Sequence, residues 1–267
     1  IVLEEDVGSG DLTASLVPRD KQAQARVICR EQAIACGIAW FNEVFAQLDP
    51  DVEVDWDVLD GDTMLPGQEV CRLRGSAASI LTGERSALNL LQTLSGTATL
   101  TSAYVKAIAD TDANILDTRK TIPGLRLMQK YAVLCGGGKN HRKGLYDAIL
   151  IKENHILAAG SITGALQQAQ QTTPGVEIEV EVENLSQLGE ALEAGAKRVL
   201  LDNFELETLR QAVQLNAGRA RLEASGGVNL DTVRQIAQTG VDDISVGALT
   251  KDLRAVDFSM RFSKPSP

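Results

Sequence analysis

The stretch VEIEVEVENLSQLGEALEAGAKRVLLDNF (176–204) decides the fold. Its first eight residues alternate apolar side chains with glutamates, and KRVLLDNF (197–204) is a second apolar run with polar ends. Both read as strands. Between them, residues 184–194 carry apolar side chains at helical spacing. Strand, helix and strand within 29 residues form a crossover unit, which makes the two strands parallel.

The pattern continues on both sides. RLEASGG (221–227) and VDDISVGA (241–248) follow; ANILDTR (113–119) and DAILIKE (147–153) precede. The polar ends Arg119, Lys152, Glu181, Asp202, Ser225 and Gly247 are 33, 29, 21, 23 and 22 residues apart, each gap long enough for a crossover. Residues 161–171, 184–194, 205–216 and 229–239 supply the helices. Six such units predict an incomplete, about six-stranded α/β barrel over residues 96–267, with the C-terminal tail returning to the first domain. A doubly wound open sheet is the alternative.

Every strand ends in chemistry: DTRK, IKEN, EVEN, LDNF, SGG and VGA. A parallel barrel gathers these ends on one face, where active sites sit, so the pattern predicts an enzyme. Residues 117–152 carry eight bases and two acids in a chain of net charge −10, which predicts a polyanionic ligand. A solvated helix face accounts for Lys130, and equally well for Arg126; it accounts poorly for Arg119 and Lys152, which lie at strand ends. SGG (225–227) and VGA (246–248) on the last two strands fit a barrel phosphate site, where glycine lets the backbone approach closely. Glu177, Glu179, Glu181 and Glu183 share one face of a buried strand. Glu181 and Glu183 are candidates for metal or hydroxyl binding, and Glu177 and Glu179 read as partners for interior bases. Glu181 and Asp202 together form a candidate Mg²⁺ or ribose site. His141 lies in the basic, glycine-rich CGGGKNHRKG (135–144); His155 reads as structural.

Residues 1–95 are different. QAQARVICR (22–30), VEVDWDV (52–58) and QEVCRLR (68–74) alternate as half-buried strands. Residues 37–48 and 82–95 read as helices, the second N-capped by Thr82. This predicts an α+β sandwich domain, 1–95, with 7 Lys and Arg against 16 Asp and Glu; residues 96–267 hold 19 against 20. DGDTMLPGQ (60–68) resembles the turns of acyl-carrier half-barrels, but no lysine lies between Lys21 and Lys106 to carry the group. The acidic balance and 4% aromatics exclude general nucleic-acid binding, and no apolar run approaches the ~20 residues of a membrane span. Four cysteines without CxxC or zinc spacing predict a cytoplasmic protein with reduced thiols. The chain starts at Ile1, so the reading does not extend to what precedes it.

EEDVGSGDLT (4–13), LTGERSALNLLQTLSG (81–96), DTRKTIPGLR (117–126), YAVLCGGGKNHRKGLYDAILIKENH (131–155), EVEVEN (179–184) and LLDNF (200–204) together resemble quinolinate phosphoribosyltransferase across essentially the whole chain. The resemblance implies a homodimer with shared active sites. It also implies a reaction of NAD biosynthesis: quinolinate and phosphoribosyl pyrophosphate give nicotinate mononucleotide, pyrophosphate and CO₂, with Mg²⁺. By resemblance, Arg119 and Arg142 grip the quinolinate carboxylates with His141 and Lys152 beside them, and Arg85 comes from the neighbouring chain. Lys120 lies near the pyrophosphate, Glu181 and Asp202 at the ribose and Mg²⁺, and Ser225, Gly226 and Gly247 at the 5′-phosphate. Three rivals stand beside it: an aldolase with a Schiff base on Lys152, a non-decarboxylating relative acting on another base, and a binding or regulatory descendant.

Overall fold

The structure, a computed structural model, describes residues 1–18 and 20–263. Its strands are β1 (Gln22–Cys29), β2 (Ala33–Ile34), β3 (Glu53–Trp56), β4 (Thr63–Met64), β5 (Glu69–Ser76), β6 (Asn114–Leu116), β7 (Ile149–Ile151), β8 (Ile178–Val182), β9 (Arg198–Asp202), β10 (Arg221–Ser225), β11 (Asp243–Ser245) and β12 (Phe258–Phe262). Its helices are α1 (Val2–Val7), α2 (Ile38–Leu48), α3 (Ala77–Ala107), α4 (Arg126–Cys135), α5 (Glu153–Ala159), α6 (Ile162–Thr172), α7 (Leu185–Glu193), α8 (Leu206–Asn216), α9 (Val233–Ala237) and α10 (Ala248–Lys251). None is long and apolar enough to cross a membrane.

Two compact units result. One holds Ile1–Leu100, Cys135–Gly137 and the described residues from Leu253 on; the other holds Thr101–Leu134 and Gly138–Asp252. The division falls inside α3. In the first unit an antiparallel sheet runs β12-β1-β5-β3. Its register sets Val27 opposite both Cys71 and Met260, so the apolar positions of three strands line one face. That face packs on Phe41, Val44 and Phe45 of α2 and on Ile80, Leu88 and Leu91 of α3. Phe41 meets Trp56 edge-on at 5.1 Å, the arrangement aromatic quadrupoles favour. Thr82 is not an N-cap: α3 begins at Ala77, and the Thr82 hydroxyl donates to Asp11 Oδ2 at 2.9 Å.

In the second unit all six strands are parallel, in the order β6-β11-β10-β9-β8-β7. The first strand in sequence pairs with the last, as in a barrel. Between the remaining edges, β6 gains a parallel bridge from Leu116 to Lys139 on a segment that is not itself a strand. This is the incomplete barrel, not the doubly wound alternative. Val180, Val182, Val199, Leu201, Leu222 and Ile244 point outward to the helices and are buried. The alternate positions point inward and are mostly charged or polar. Of the four glutamates, only Glu179 and Glu181 lie within β8. Glu177 and Glu183 flank it and are exposed, so the expectation of one buried acidic face holds for two residues, not four.

Candidate active site

The strand ends of the second unit assemble the site. Beyond β6, Thr118 Oγ1 accepts the Lys120 N–H at 3.0 Å and Thr250 Oγ1 donates to the Lys120 carbonyl at 2.7 Å. Fully buried Gln129 accepts the Ile122 N–H at 2.9 Å and donates to the Thr250 carbonyl at 2.8 Å. The loop bearing Arg119 and Lys120 is therefore fixed by its backbone. Arg119 is half-buried, and its Nε–H is buried without a hydrogen-bond partner. Lys120 is exposed and lies across Gly247, where a Cβ would sit 3.1 Å from its Cδ.

Arg142 stands near Arg119. Burial, then the Arg119 charge, pulls its pKa down, with Asp147 and Glu179 opposing. Its Nη1 donates to the Ala148 carbonyl at 3.1 Å. Two guanidiniums that repel each other, one with a buried Nε–H that has no partner, make a donor set suited to an anion with more than one carboxylate or phosphate oxygen.

His141 faces the barrel interior. Its Nε2 is 2.7 Å from Glu179 and 3.6 Å from Glu223, while its Nδ1 accepts the Arg142 N–H at 2.7 Å. Burial works against a charged ring, yet the two carboxylates outweigh it and raise the pKa. A second proton on Nδ1 must break the bond from Arg142, so the hydrogen bonds drawn here are those of a neutral ring. Arg198 joins the same interior network, 3.2 Å from Glu223, 3.4 Å from Asp243 and 3.6 Å from both Glu177 and Glu179. Burial first, then the Glu179 charge, pushes Glu223 up to about 8. His141, Arg142, Glu179, Arg198 and Arg221 line one cavity of about 390 Å³.

The other expected barrel residues lie at or beside the ends of their strands. Lys152 is ion-paired with Glu181 and half exposed, without the apolar, desolvated surroundings that are one way to activate a Schiff-base lysine. Its N–H donates to His155 Nδ1 at 3.0 Å, which gives His155 the structural role expected of it. Asp202 lies opposite Ser225 across β9 and β10 and accepts from Asn203 Nδ2 at 2.9 Å. Gly226 has φ +104°, and a Cβ there would lie 2.1 Å from Asn203 Oδ1; only glycine fits this turn. Three ligating atoms lie within 4.8 Å of one another at His141–Glu179–Glu223 and at Cys36–Asp60–Cys135 among the described residues; Glu181 and Asp202 belong to neither group. Arg85 belongs to the first unit, exposed on α3.

Sequence reasoning missed several residues. Lys130 is not on a solvated face: it is fully buried, ion-paired with Asp117. The signal for Arg198, Arg221, Glu223 and Asp243 was present, since charges alternate with apolar residues inside short strands. No local signal marked Lys130, because its partner is 13 residues away.

Fold and site together define an enzyme that binds anions at the strand ends of an incomplete α/β barrel. Residues 11–95 match the N-terminal domain and residues 97–261 the C-terminal domain described as quinolinate phosphoribosyl transferase. A Bacillus subtilis protein named probable nicotinate-nucleotide pyrophosphorylase [carboxylating] is 44% identical over 257 residues, covering 96% of this chain and 89% of its own. A Nicotiana tabacum quinolinate phosphoribosyltransferase [decarboxylating] is 42% identical, covering 98% and 80%. The solved nicotinate-nucleotide pyrophosphorylase of Francisella tularensis superposes with TM-score 0.96 at 47% identity, covering 98% of this chain and 93% of that one. The chain belongs to the quinolinate phosphoribosyltransferase family.

Proposed function

We propose that this chain transfers the phosphoribosyl group of phosphoribosyl pyrophosphate to quinolinate, in NAD biosynthesis, with the strand-end residues in the following roles. Arg119 and Arg142 bind the two quinolinate carboxylates, Lys152 adds a third positive charge, and His141 stands behind Arg142. The pyridine nitrogen attacks the anomeric carbon as its bond to pyrophosphate breaks. Glu181 and Asp202 stabilise the positive charge that develops on the ribose. Lys120 neutralises the departing pyrophosphate, and Ser225, Gly226 and Gly247 hold the 5′-phosphate.

The new N-glycosidic bond makes the ring nitrogen cationic. The bond from the adjacent ring carbon to its carboxylate then breaks, CO₂ leaves, and the electron pair left on carbon is stabilised by that nitrogen until a proton arrives. The products are nicotinate mononucleotide, pyrophosphate and CO₂, and no side chain acts as nucleophile. Glu181 and Asp202 are hard oxygen donors on neighbouring strand ends, a donor set that suits Mg²⁺. Mg²⁺ held by Glu181 and Asp202 would supply charge neutralisation to the pyrophosphate. The active form is a cytoplasmic homodimer in which Arg85 completes the partner's site.

The observation that carries this reading is the partnerless, buried Nε–H of Arg119 beside Arg142. Removing one carboxylate from the ligand leaves buried donors unmatched. Nicotinate should therefore fall below quinolinate by about 10³-fold or more in kcat/KM. Comparable values for the two acids would contradict the assignment.

A further inference from the structure

Asp117 and Lys130 take no part in the chemistry above, yet they are the ion pair this unit buries most completely around the site. A lysine so buried is costly unless it is paired and hydrogen-bonded. Burial pushes Asp117 up to about 6 and Lys130 down, and their mutual attraction works against both shifts. Lys130 Nζ pairs with Asp117 Oδ1 and also donates to the His141 carbonyl at 2.9 Å. Asp117 Oδ1 accepts the His141 N–H at 2.8 Å. The Asn140 amide, with its nitrogen turned to the acceptors, donates to Asp117 Oδ2 at 2.7 Å and to the Lys130 carbonyl at 2.9 Å.

These bonds join two separate segments. Asp117 sits two residues before Arg119, and Asn140 and His141 directly precede Arg142. Backbone bonds tie the segments at Lys139, whose N–H donates to the Ile115 carbonyl at 2.8 Å and whose carbonyl accepts the Asp117 N–H at 3.2 Å; the side-chain bonds carry the tie on to the residues beside the two arginines, which repel each other. His141 is meanwhile held at all four of its polar atoms: N–H by Asp117, carbonyl by Lys130, Nε2 by Glu179 and Nδ1 by the Arg142 N–H. Both ring nitrogens are thus engaged within the chain.

We propose that Asp117, Lys130 and Asn140 are positioning residues that tie the Arg119 and Arg142 segments into one carboxylate pocket. The proposal rests on the reading of quinolinate as ligand. Because the scaffold meets the repulsion between the guanidiniums during folding, the ligand finds a prepared pocket.

The test measures two affinities by calorimetry: quinolinate alone, and phosphoribosyl pyrophosphate with Mg²⁺. Asp117→Val/Lys130→Met removes both charges together, a change a buried pair tolerates far better than loss of one partner. The folded double variant should bind quinolinate about tenfold or more weakly, and phosphoribosyl pyrophosphate within about twofold of wild type. Asn140→Ala, which removes neither charge, should weaken quinolinate about three- to tenfold with the same selectivity, and it decides the matter even where the double variant does not fold. Unchanged quinolinate affinity, or equal loss of both ligands, overturns the proposal. Wild type that fails to bind quinolinate instead overturns the functional reading, which separates the two failures.

Discussion

At the residue scale, the barrel interior holds a carboxyl group that contributes to pH dependence. Glu223 has its folded pKa raised to about 8 from an ordinary 4.5, chiefly by burial. The folded chain therefore keeps a proton that the unfolded chain releases. Its contribution to stability is greatest below about 4.5 and is lost as pH climbs to about 8. His141 and Asp117 are shifted in the same sense, so wild type alone does not isolate the effect. In Glu223→Gln the group no longer titrates. Between pH 5 and 8.5 the variant should gain on wild type by ~1 kcal/mol or more in chemical denaturation, and a constant gap contradicts the assignment. At this scale the sequence was partly legible. Residues at strand ends announced themselves because a charge that closes an apolar run has few structural reasons to be there. Lys130 did not: its burial depends on a distant aspartate that local pattern cannot see.

At the scale of elements, alternation and helical spacing placed β1, β5, β8, β9 and α2 to within a residue or two, because each presents one clean face to a core. The helix expected over 82–95 instead runs from Ala77 to Ala107. Gly96 reads as a break, yet it is a packing position: a Cβ there would lie 2.3 Å from the Arg254 carbonyl oxygen. The glycine lets the returning C-terminal segment, where the Val256 N–H bonds the Gln92 carbonyl at 3.1 Å, lie against the helix. Alanine is the better helix former by about 1 kcal/mol, but backbone cannot swing aside. Gly96→Ala should cost ~1–3 kcal/mol in equilibrium unfolding. Gly189 in α7 has nothing within 4 Å of its added Cβ, so Gly189→Ala should stabilise by ~0.5–1 kcal/mol. The opposite signs are the check; a loss at both positions would show that helix propensity and space are not what separates them.

At the scale of the whole molecule, charge is divided unevenly along the chain. The acidic residues 1–95 hold few bases, and Arg85 is one of them, exposed and without a salt bridge among the described residues. The proposed shared site in a two-fold dimer would give it a purpose. Arg85→Ala and Arg142→Ala homodimers should each be nearly inactive. Mixed equally with full subunit exchange, about half the dimers are heterodimers with one intact site, so about a quarter of wild-type activity should return. No recovery despite proven exchange would place Arg85 within its own chain's site. The reaction itself is tested most directly with quinolinate labelled in the carboxyl group next to the ring nitrogen, supplied with phosphoribosyl pyrophosphate and Mg²⁺. Labelled CO₂ and nicotinate mononucleotide should appear together in equal amounts, and neither without phosphoribosyl pyrophosphate. A nucleotide that retains the label, or no nucleotide at all, would contradict the account.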